Sequence, residues 1–269
     1  MNQKLVFLLL LSTFITLNVS AQEKFQRYFD ACNLSGSTTI FDYKNQKWFY
    51  TDSTDALVET LPASTFKILN SLIALETKAV ADENEILKWD GKDRKLSGVS
   101  MSAWNKDTDL KTAYKNSTIW FYVELAKKIG RRKYKKVFKK TQYGNQNLKE
   151  KGTDFWNYGN FGISPKNQVE FLIKLYKNQL PFSQESIDVV KEIMISEKND
   201  MGTFRDKTGW TQKDNIDIGW WIGYLTTADN VYFFATRITR PTDSLNQDFS
   251  SCRKTITKGI LKKIIENYD

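Results

Sequence analysis

Ser64 and Lys67 are the two side chains in this sequence whose types and spacing best suit nucleophilic chemistry. They open residues 64–78, where apolar residues recur at helical spacing, so both side chains share one helix face. Residues 68–75 are apolar on nearly every face, which predicts a buried helix. Because burial removes hydration from the charged form, it lowers the pKa of a lysine amine. Lys67 is therefore a candidate base for the Ser64 hydroxyl.

Ser64 also stands at the N-terminus of this predicted helix. Free backbone N–H groups and the positive end of the helix dipole stabilise developing negative charge there. A serine followed by a lysine three residues later is nevertheless common. The alternative interpretation is an ordinary capped helix with an exposed lysine.

The composition narrows the chemistry further. The 269 residues are 41% hydrophobic and 26% charged, a globular composition that fits one or two domains. They include no histidine, which excludes HExxH metalloproteases, Ser-His-Asp and Cys-His hydrolases, and zinc sites that need imidazole. The two cysteines are too few for four-thiolate zinc or iron–sulfur sites. We expect metal-free chemistry.

The formal net charge is +9, and the densest basic run lies at residues 131–140. Its apolar members, Tyr134, Val137 and Phe138, have the spacing of an amphipathic helix. This spacing favours a solvated helix face, and we expect no nucleic-acid partner.

Residues 1–21 are typical of a secretory signal peptide, with Lys4, an apolar core at 5–17 and small residues at 19–21. We expect export to the periplasm and a mature domain at 22–269. The apolar core is shorter than the roughly 20 residues that span a bilayer, so no stable membrane insertion is expected. In an oxidising compartment Cys32 and Cys252 could form a disulfide, and two buried free thiols are the alternative.

The order of predicted elements indicates an α+β fold. Residues 37–43 and 47–51 are typical of a hairpin, and strands are also predicted at 204–210, 217–226 and 231–239. A final amphipathic helix covers 252–268, and the helices predicted for the middle are 64–78, 115–129, 133–141, 164–178 and 183–196.

Strands at both ends imply one antiparallel sheet, built from about 22–60 and 197–269 and flanked by helices. Between them, about 61–196 forms an inserted all-helical subdomain. The cleft between sheet and subdomain is the expected place for a site.

Three further motifs follow the Ser64–Lys67 pair. They are Ser117-Thr118-Ile119, Tyr143-Gly144-Asn145 and Lys207-Thr208-Gly209-Trp210. Each is weak alone, but in this order and at these separations they resemble the motif set of the penicillin-recognising serine enzymes.

Within that superfamily the sequence resembles the class D β-lactamases, the oxacillinases, over essentially all of the mature chain. No ExxLN stretch supplies the glutamate of class A, and YGN together with Phe155-Trp156 separates the chain from class C. The segments that carry the resemblance are PASTFK at 62–67, WDGK at 89–92, YGNQN at 143–147, FW at 155–156, KTGW at 207–210, WWIG at 220–223 and YFFA at 232–235.

The resemblance implies a serine β-lactamase/DD-peptidase-like fold and hydrolysis of β-lactams through a serine acyl-enzyme. It implies that neutral Lys67 takes up carbon dioxide as a carbamate, the general base for acylation and deacylation, with no other cofactor. Trp156 would donate its indole N–H to the carbamate, although an ordinary core aromatic is the alternative. Ser117 would pass a proton to the departing lactam nitrogen.

The resemblance also implies the substrate contacts. Backbone N–H groups of Ser64 and Trp210 would form the oxyanion hole. Lys207 and Thr208 would attract the substrate carboxylate, helped by Arg253, for which a surface charge at a helix start is the alternative. Other expected substrate-site residues are Gly209, Tyr143, Asn145, Ile119, Met101 and Trp104; packing within the fold is the alternative for Met101, Trp104 and the Trp210 side chain.

Three positions depart from the family pattern: Ile119 replaces a valine, Asn157 an apolar residue and Gln142 a serine. Water admitted by Asn157 would lower carbamate stability and the deacylation rate. Two other functions share this fold and serine–lysine pair: an antibiotic-sensing receptor domain, which keeps its acyl adduct, and a peptidoglycan transpeptidase or carboxypeptidase. The sensor usually carries membrane helices and a zinc protease, and the peptidases usually carry an anchor or extra domains.

Overall fold

A computed structural model describes residues 25–96, 98–244 and 248–268, and an antiparallel sheet lies at its centre. The six strands run in the order β2-β1-β8-β7-β6-β5. Their bounds are β1 Ser35–Asp42, β2 Lys47–Tyr50, β5 Ile195–Asn199, β6 Gly202–Lys213, β7 Ile216–Thr226 and β8 Val231–Pro241. The sheet unites the two ends of the chain, which confirms the predicted α+β architecture.

The middle of the chain is mainly helical. It also contains a two-stranded ribbon, β3 at Lys95–Leu96 and β4 at Val99–Ser100. Short 3-10 helices cover Asp55–Leu57 and Ala63–Phe66. The α-helices are α1 Lys67–Glu76, α2 Leu110–Asn116, α3 Ile119–Ile129, α4 Arg131–Thr141, α5 Pro165–Tyr176 and α6 Gln184–Ile193, followed after the last strand by α7 Phe249–Tyr268.

The two faces of the sheet bury alternate residues of the same strands. Trp220, Ile222 and Tyr224 of β7 belong to the core beneath the helices of the middle. Trp221 and Leu225 belong to a second core, which includes residues of α7. This period of two is the pattern of a strand covered on both faces.

Two predicted helices differ from the structure. The helix predicted at 115–129 is broken at Ser117, whose φ of 55° ends α2 before α3 begins. The helix predicted at 183–196 ends at Ile193, and strand β5 follows it. β5 is a largely exposed edge strand without apolar alternation, and the break at Ser117 contains neither glycine nor proline, so neither feature has a local sequence signal.

Cys32 and Cys252 form a disulfide, with their Cα atoms 6.1 Å apart. The sequence left the disulfide and two free thiols as alternatives, and the structure has the disulfide. The bond ties the segment before β1 to the first turn of α7. The predicted signal peptide at 1–21 lies outside the described residues, and among those that are described no helix is long and apolar enough to cross a bilayer.

We expect the double substitution Cys32→Ser/Cys252→Ser to lower the free energy of unfolding by about 2–4 kcal/mol, because the disulfide restricts the unfolded chain across a long loop. Urea denaturation of both proteins measures the difference. Reductant should destabilise the wild type to the level of the variant and leave the variant unchanged. Equal stability of the oxidised wild type and the variant would contradict this account.

Candidate active site

Ser64 lies in the turn that leads into α1. Ser64 lies in the 3-10 helix Ala63–Phe66, which runs directly into α1. Ala63 has a φ of 51°, and its N–H donates to the carbonyl of Trp156 at 3.0 Å. A left-handed alanine costs free energy, so the surrounding contacts must hold this turn in place.

Lys67 is completely buried, and its Nζ lies 2.9 Å from Ser64 Oγ. The ring of Tyr122 lies beneath the amine, with its centroid 4.9 Å from Nζ. Burial places the pKa of Lys67 well below that of an ordinary lysine, and the charge of Lys207 lowers it further, against an opposite effect of Asp154. The structure therefore favours the neutral amine beside the serine hydroxyl and excludes the exposed-lysine alternative.

A second lysine–serine pair lies close enough to the first for the charge of Lys207 to act on Lys67. Buried Lys207 of β6 donates from Nζ to Ser117 Oγ at 2.5 Å and to the carbonyl of Thr208 at 3.1 Å. Burial is the main cause that lowers the pKa of Lys207 to about 7; Asp206 acts against this, while Arg253 adds repulsion. Near neutral pH this amine can both attract an anion and exchange a proton.

The edge of β6 reaches Ser64 because β5 stops short of it. The register pairs β5 with β6 only over residues 202–205, whereas β7 pairs with β6 over 203–213. A Cβ placed on Gly209 would lie 3.0 Å from the carbonyl oxygen of Pro62 and 3.2 Å from the nitrogen of Ser64. Glycine therefore permits a close approach that brings the backbone at Gly209–Trp210 next to Ser64.

Trp156 is fully buried and stacks on Phe66, with the ring centroids 5.2 Å apart. Its Nε1 has no acceptor among the described residues. An unpaired buried N–H costs free energy, so this position is suited to an acceptor that occupies the site during function. Asn157 is also buried; its N–H donates to the Asp154 carbonyl, and its own carbonyl accepts from the Thr211 hydroxyl.

Arg253 is buried, so the surface-charge alternative is wrong. Its guanidinium donates to the carbonyl of Gly209 at 2.6 Å and to Ser250 Oγ at 3.0 Å. Burial lowers the pKa of Arg253 to about 10, which leaves it charged at neutral pH. The N-terminal part of α7 thus places a cation at the β6 edge.

The remaining predicted site residues have mixed surroundings. Tyr143 and Trp104 are core side chains that donate to Gln168 Oε1 and to the Asn116 carbonyl, respectively. Asn145 uses its side-chain amide inside the loop, with Asn160, Gly162 and Asn147 as partners. Met101 and Ile119 are half-buried against the core, and the Trp210 side chain is 39% exposed. The structure thus gives Tyr143, Trp104 and Asn145 framework contacts.

Three residues around the lysines were not predicted from the sequence. Tyr122 lies under Lys67, and the Tyr114 hydroxyl donates to the carbonyl of Asp206, next to Lys207. The aromatic positions of α2 and α3 are indistinguishable from core positions in the sequence. The one signal in the sequence is an acid directly before the KTG motif, Asp206, which the structure shows to be buried.

The chain is similar in sequence and fold to proteins that are already known. Residues 23–266 match the family described as the penicillin binding protein transpeptidase domain. The chain is 38% identical to β-lactamase OXA-48 of Klebsiella pneumoniae over 228 residues, 85% of this chain and 83% of that one. It is 33% identical to β-lactamase OXA-10 of Pseudomonas aeruginosa over 254 residues, 93% and 92% of the two chains.

A solved structure of a class D β-lactamase from Sebaldella termitidis superimposes with a TM-score of 0.85 at 42% identity, covering 90% of this chain and 95% of that one. FUS-1 (OXA-85), a class D β-lactamase from Fusobacterium nucleatum, superimposes with a TM-score of 0.81 at 32% identity, covering 90% and 97%.

We expect Lys67→Met to raise the free energy of unfolding at pH 7, because the wild-type amine must lose its proton when folding buries it, and methionine has no proton to lose. The unfolded chain binds the Lys67 proton more tightly than the folded protein does, since burial lowers the folded pKa. Between those two pKa values wild-type stability rises with pH, so the advantage of the variant shrinks towards pH 10.

Thermal denaturation at several pH values, in buffer purged of carbon dioxide, measures this difference. Lys139→Met on the exposed face of α4 is the matched control and should show no comparable gain. A wild type more stable than Lys67→Met at pH 7 would contradict the burial argument.

Proposed function

This chain belongs to the class D β-lactamases, enzymes that hydrolyse β-lactams, and from that premise we propose that Ser64 opens the lactam ring to form an acyl-enzyme. One observation carries the proposal: the buried Lys67 amine lies 2.9 Å from Ser64 Oγ. An uncharged nitrogen at this distance supplies a proton acceptor to a protein that has no histidine.

In the proposed acylation, Ser64 Oγ attacks the lactam carbonyl carbon and loses its proton on the Lys67 side. The backbone N–H groups of Ser64 and Trp210 donate hydrogen bonds to the developing oxyanion. Gly209 permits this arrangement, because it lets the β6 backbone approach the turn at Ser64. Each such donor is typically worth about 10²–10³ in rate. The carbon–nitrogen bond then breaks, which leaves an ester on Ser64.

The departing lactam nitrogen needs a proton, and we assign its delivery to Ser117. The Ser117 hydroxyl contacts Lys207 Nζ at 2.5 Å, so a proton lost by the serine can be replaced from the lysine. The same Lys207, with Thr208 and the buried Arg253, would attract the ring carboxylate of the substrate. The Lys207 ammonium of β6 and the Arg253 guanidinium, which reaches the β6 edge from α7, suit a carboxylate.

We further propose that Lys67 is carboxylated by carbon dioxide during function. Support comes from the neutral state that burial favours at Lys67 and from the indole N–H of Trp156, which has no acceptor among the described residues. Trp156 would donate to the added carboxylate. When present, that group supplies the general base for Ser64 and later for the hydrolytic water. The proposal needs no metal or other cofactor.

Cellular location is a further part of the proposal. The signal-like residues 1–21 and the Cys32–Cys252 disulfide both suit export to the periplasm.

Turnover of a chromogenic cephalosporin tests the central step. We expect many turnovers per wild-type molecule, and no covalent penicillin label or turnover for Ser64→Ala. Stripping bicarbonate or lowering the pH should reduce activity, since each disfavours the carboxylated lysine, and added bicarbonate should restore it. A single stoichiometric burst would indicate a sensor instead of a hydrolase, and indifference to bicarbonate would refute carboxylation.

We expect Trp156→Phe to slow deacylation about tenfold or more while acylation changes less, because the substitution removes a donor to the base. Single-turnover kinetics separate the two steps. Trp221→Phe is the matched control: its indole N–H is also buried and lacks an acceptor among the described residues, but it belongs to the core on the other sheet face. Equal slowing of both steps in Trp156→Phe would exclude the assigned role.

A further inference from the structure

A cavity of about 460 Å³ opens beside Lys207 and Thr208, where β5 pairing begins. Residues of α2 form one wall, and residues 192–196, which join α6 to β5, form another. Lys254 of α7 completes the lining next to β6. Its size lies within the range of small-molecule sites. Of its lining, the steps proposed above use only Lys207 and Thr208.

The lining of this cavity is cationic. Four lysines outnumber two acids, Glu192 and Asp206. The Asp206 carboxylate is buried and already accepts a hydrogen bond from Ser196, which leaves Glu192 as the exposed acid. The lysines are Lys111 and Lys115 of α2, Lys207 of β6 and Lys254 of α7.

Lys111 and Lys115 are the accessible part of this charge. Both are exposed on α2, and neither forms an ion pair with any described residue. They are separated by one helical turn, so both can face one ligand from the same side. Two like charges at this spacing disfavour the helix slightly, and an anion between them would remove that cost.

We propose that this cavity is a subsite for a second anionic group on the substrate, a carboxylate or sulfonate carried next to the ring carboxylate. The inference rests on the proposed function, in which Lys207 and Thr208 hold the ring carboxylate and Ser64 attacks the lactam carbonyl. In this binding mode, a substituent on the ring atom next to that carboxylate would extend past Lys207 into the cavity between α2 and β5. Lys111 and Lys115 are specificity-determining residues for dianionic β-lactams.

The test compares two cephalosporins with the same acyl side chain, whose substituent beside the ring carboxylate is either neutral or a second carboxylate. Lys115→Glu should lower kcat/KM for the dianionic compound about tenfold, and for the neutral one no more than about twofold. Raising the salt concentration should shrink the contrast, because the lysines are exposed. Lys139→Glu carries the same charge change on α4 and should affect both compounds equally.

Equal losses on both compounds, or no loss on the dianionic one, would overturn the subsite. Failure of the proposed function has a different signature, since the wild type would then turn over neither compound. In that case calorimetric binding of both compounds to Ser64→Ala still tests the cavity. Tighter binding of the dianion that disappears in Ser64→Ala/Lys115→Glu supports it, and equal binding of both compounds refutes it.

Discussion

The burial of one amine at the start of α1 is the constraint on which the rest of the site depends. Residues 67–75 are all buried, so the Lys67 amine is shielded from bulk solvent. A charged amine there would lose its hydration without a direct ion pair among the described residues, and the uncharged form is favoured. The fold thus gives up stability to hold a reactive nitrogen 2.9 Å from a hydroxyl.

Aromatic packing supplies the dry environment that this constraint requires. The ring of Phe66, next to Lys67 in sequence, is surrounded by the rings of Tyr134, Phe138, Tyr143, Phe155, Trp156 and Phe161. The aromatic residues of the YGN and FW motifs therefore act largely by packing around Phe66 in the core. Trp156 contributes both to this packing and to the site, since its ring stacks on Phe66 and its indole N–H has no acceptor among the described residues.

The reactive groups come from parts of the chain that are distant in sequence. Ser64 and Ser117 belong to the helical middle, Lys207 belongs to the sheet, and Arg253 lies on the last helix. The open edge of β6 joins these parts, because Gly209 contacts the turn before Ser64 and its carbonyl accepts from Arg253. The Cys32–Cys252 disulfide anchors the first turn of α7 directly beside Arg253.

Local patterns in the sequence determined the hairpin, the strands β6–β8, most helices and the positions of the four motifs, because periodicity and residue type act over a few neighbours. The break at Ser117 and strand β5 were decided by tertiary structure, since neither has a local signal. Tertiary structure also decided the disulfide, the burial of Arg253 and Tyr143, the unpaired Trp156 N–H and the lysine-lined cavity. These features depend on contacts between segments that are distant in the chain. A local pattern of residue types does not show which distant group a side chain will contact.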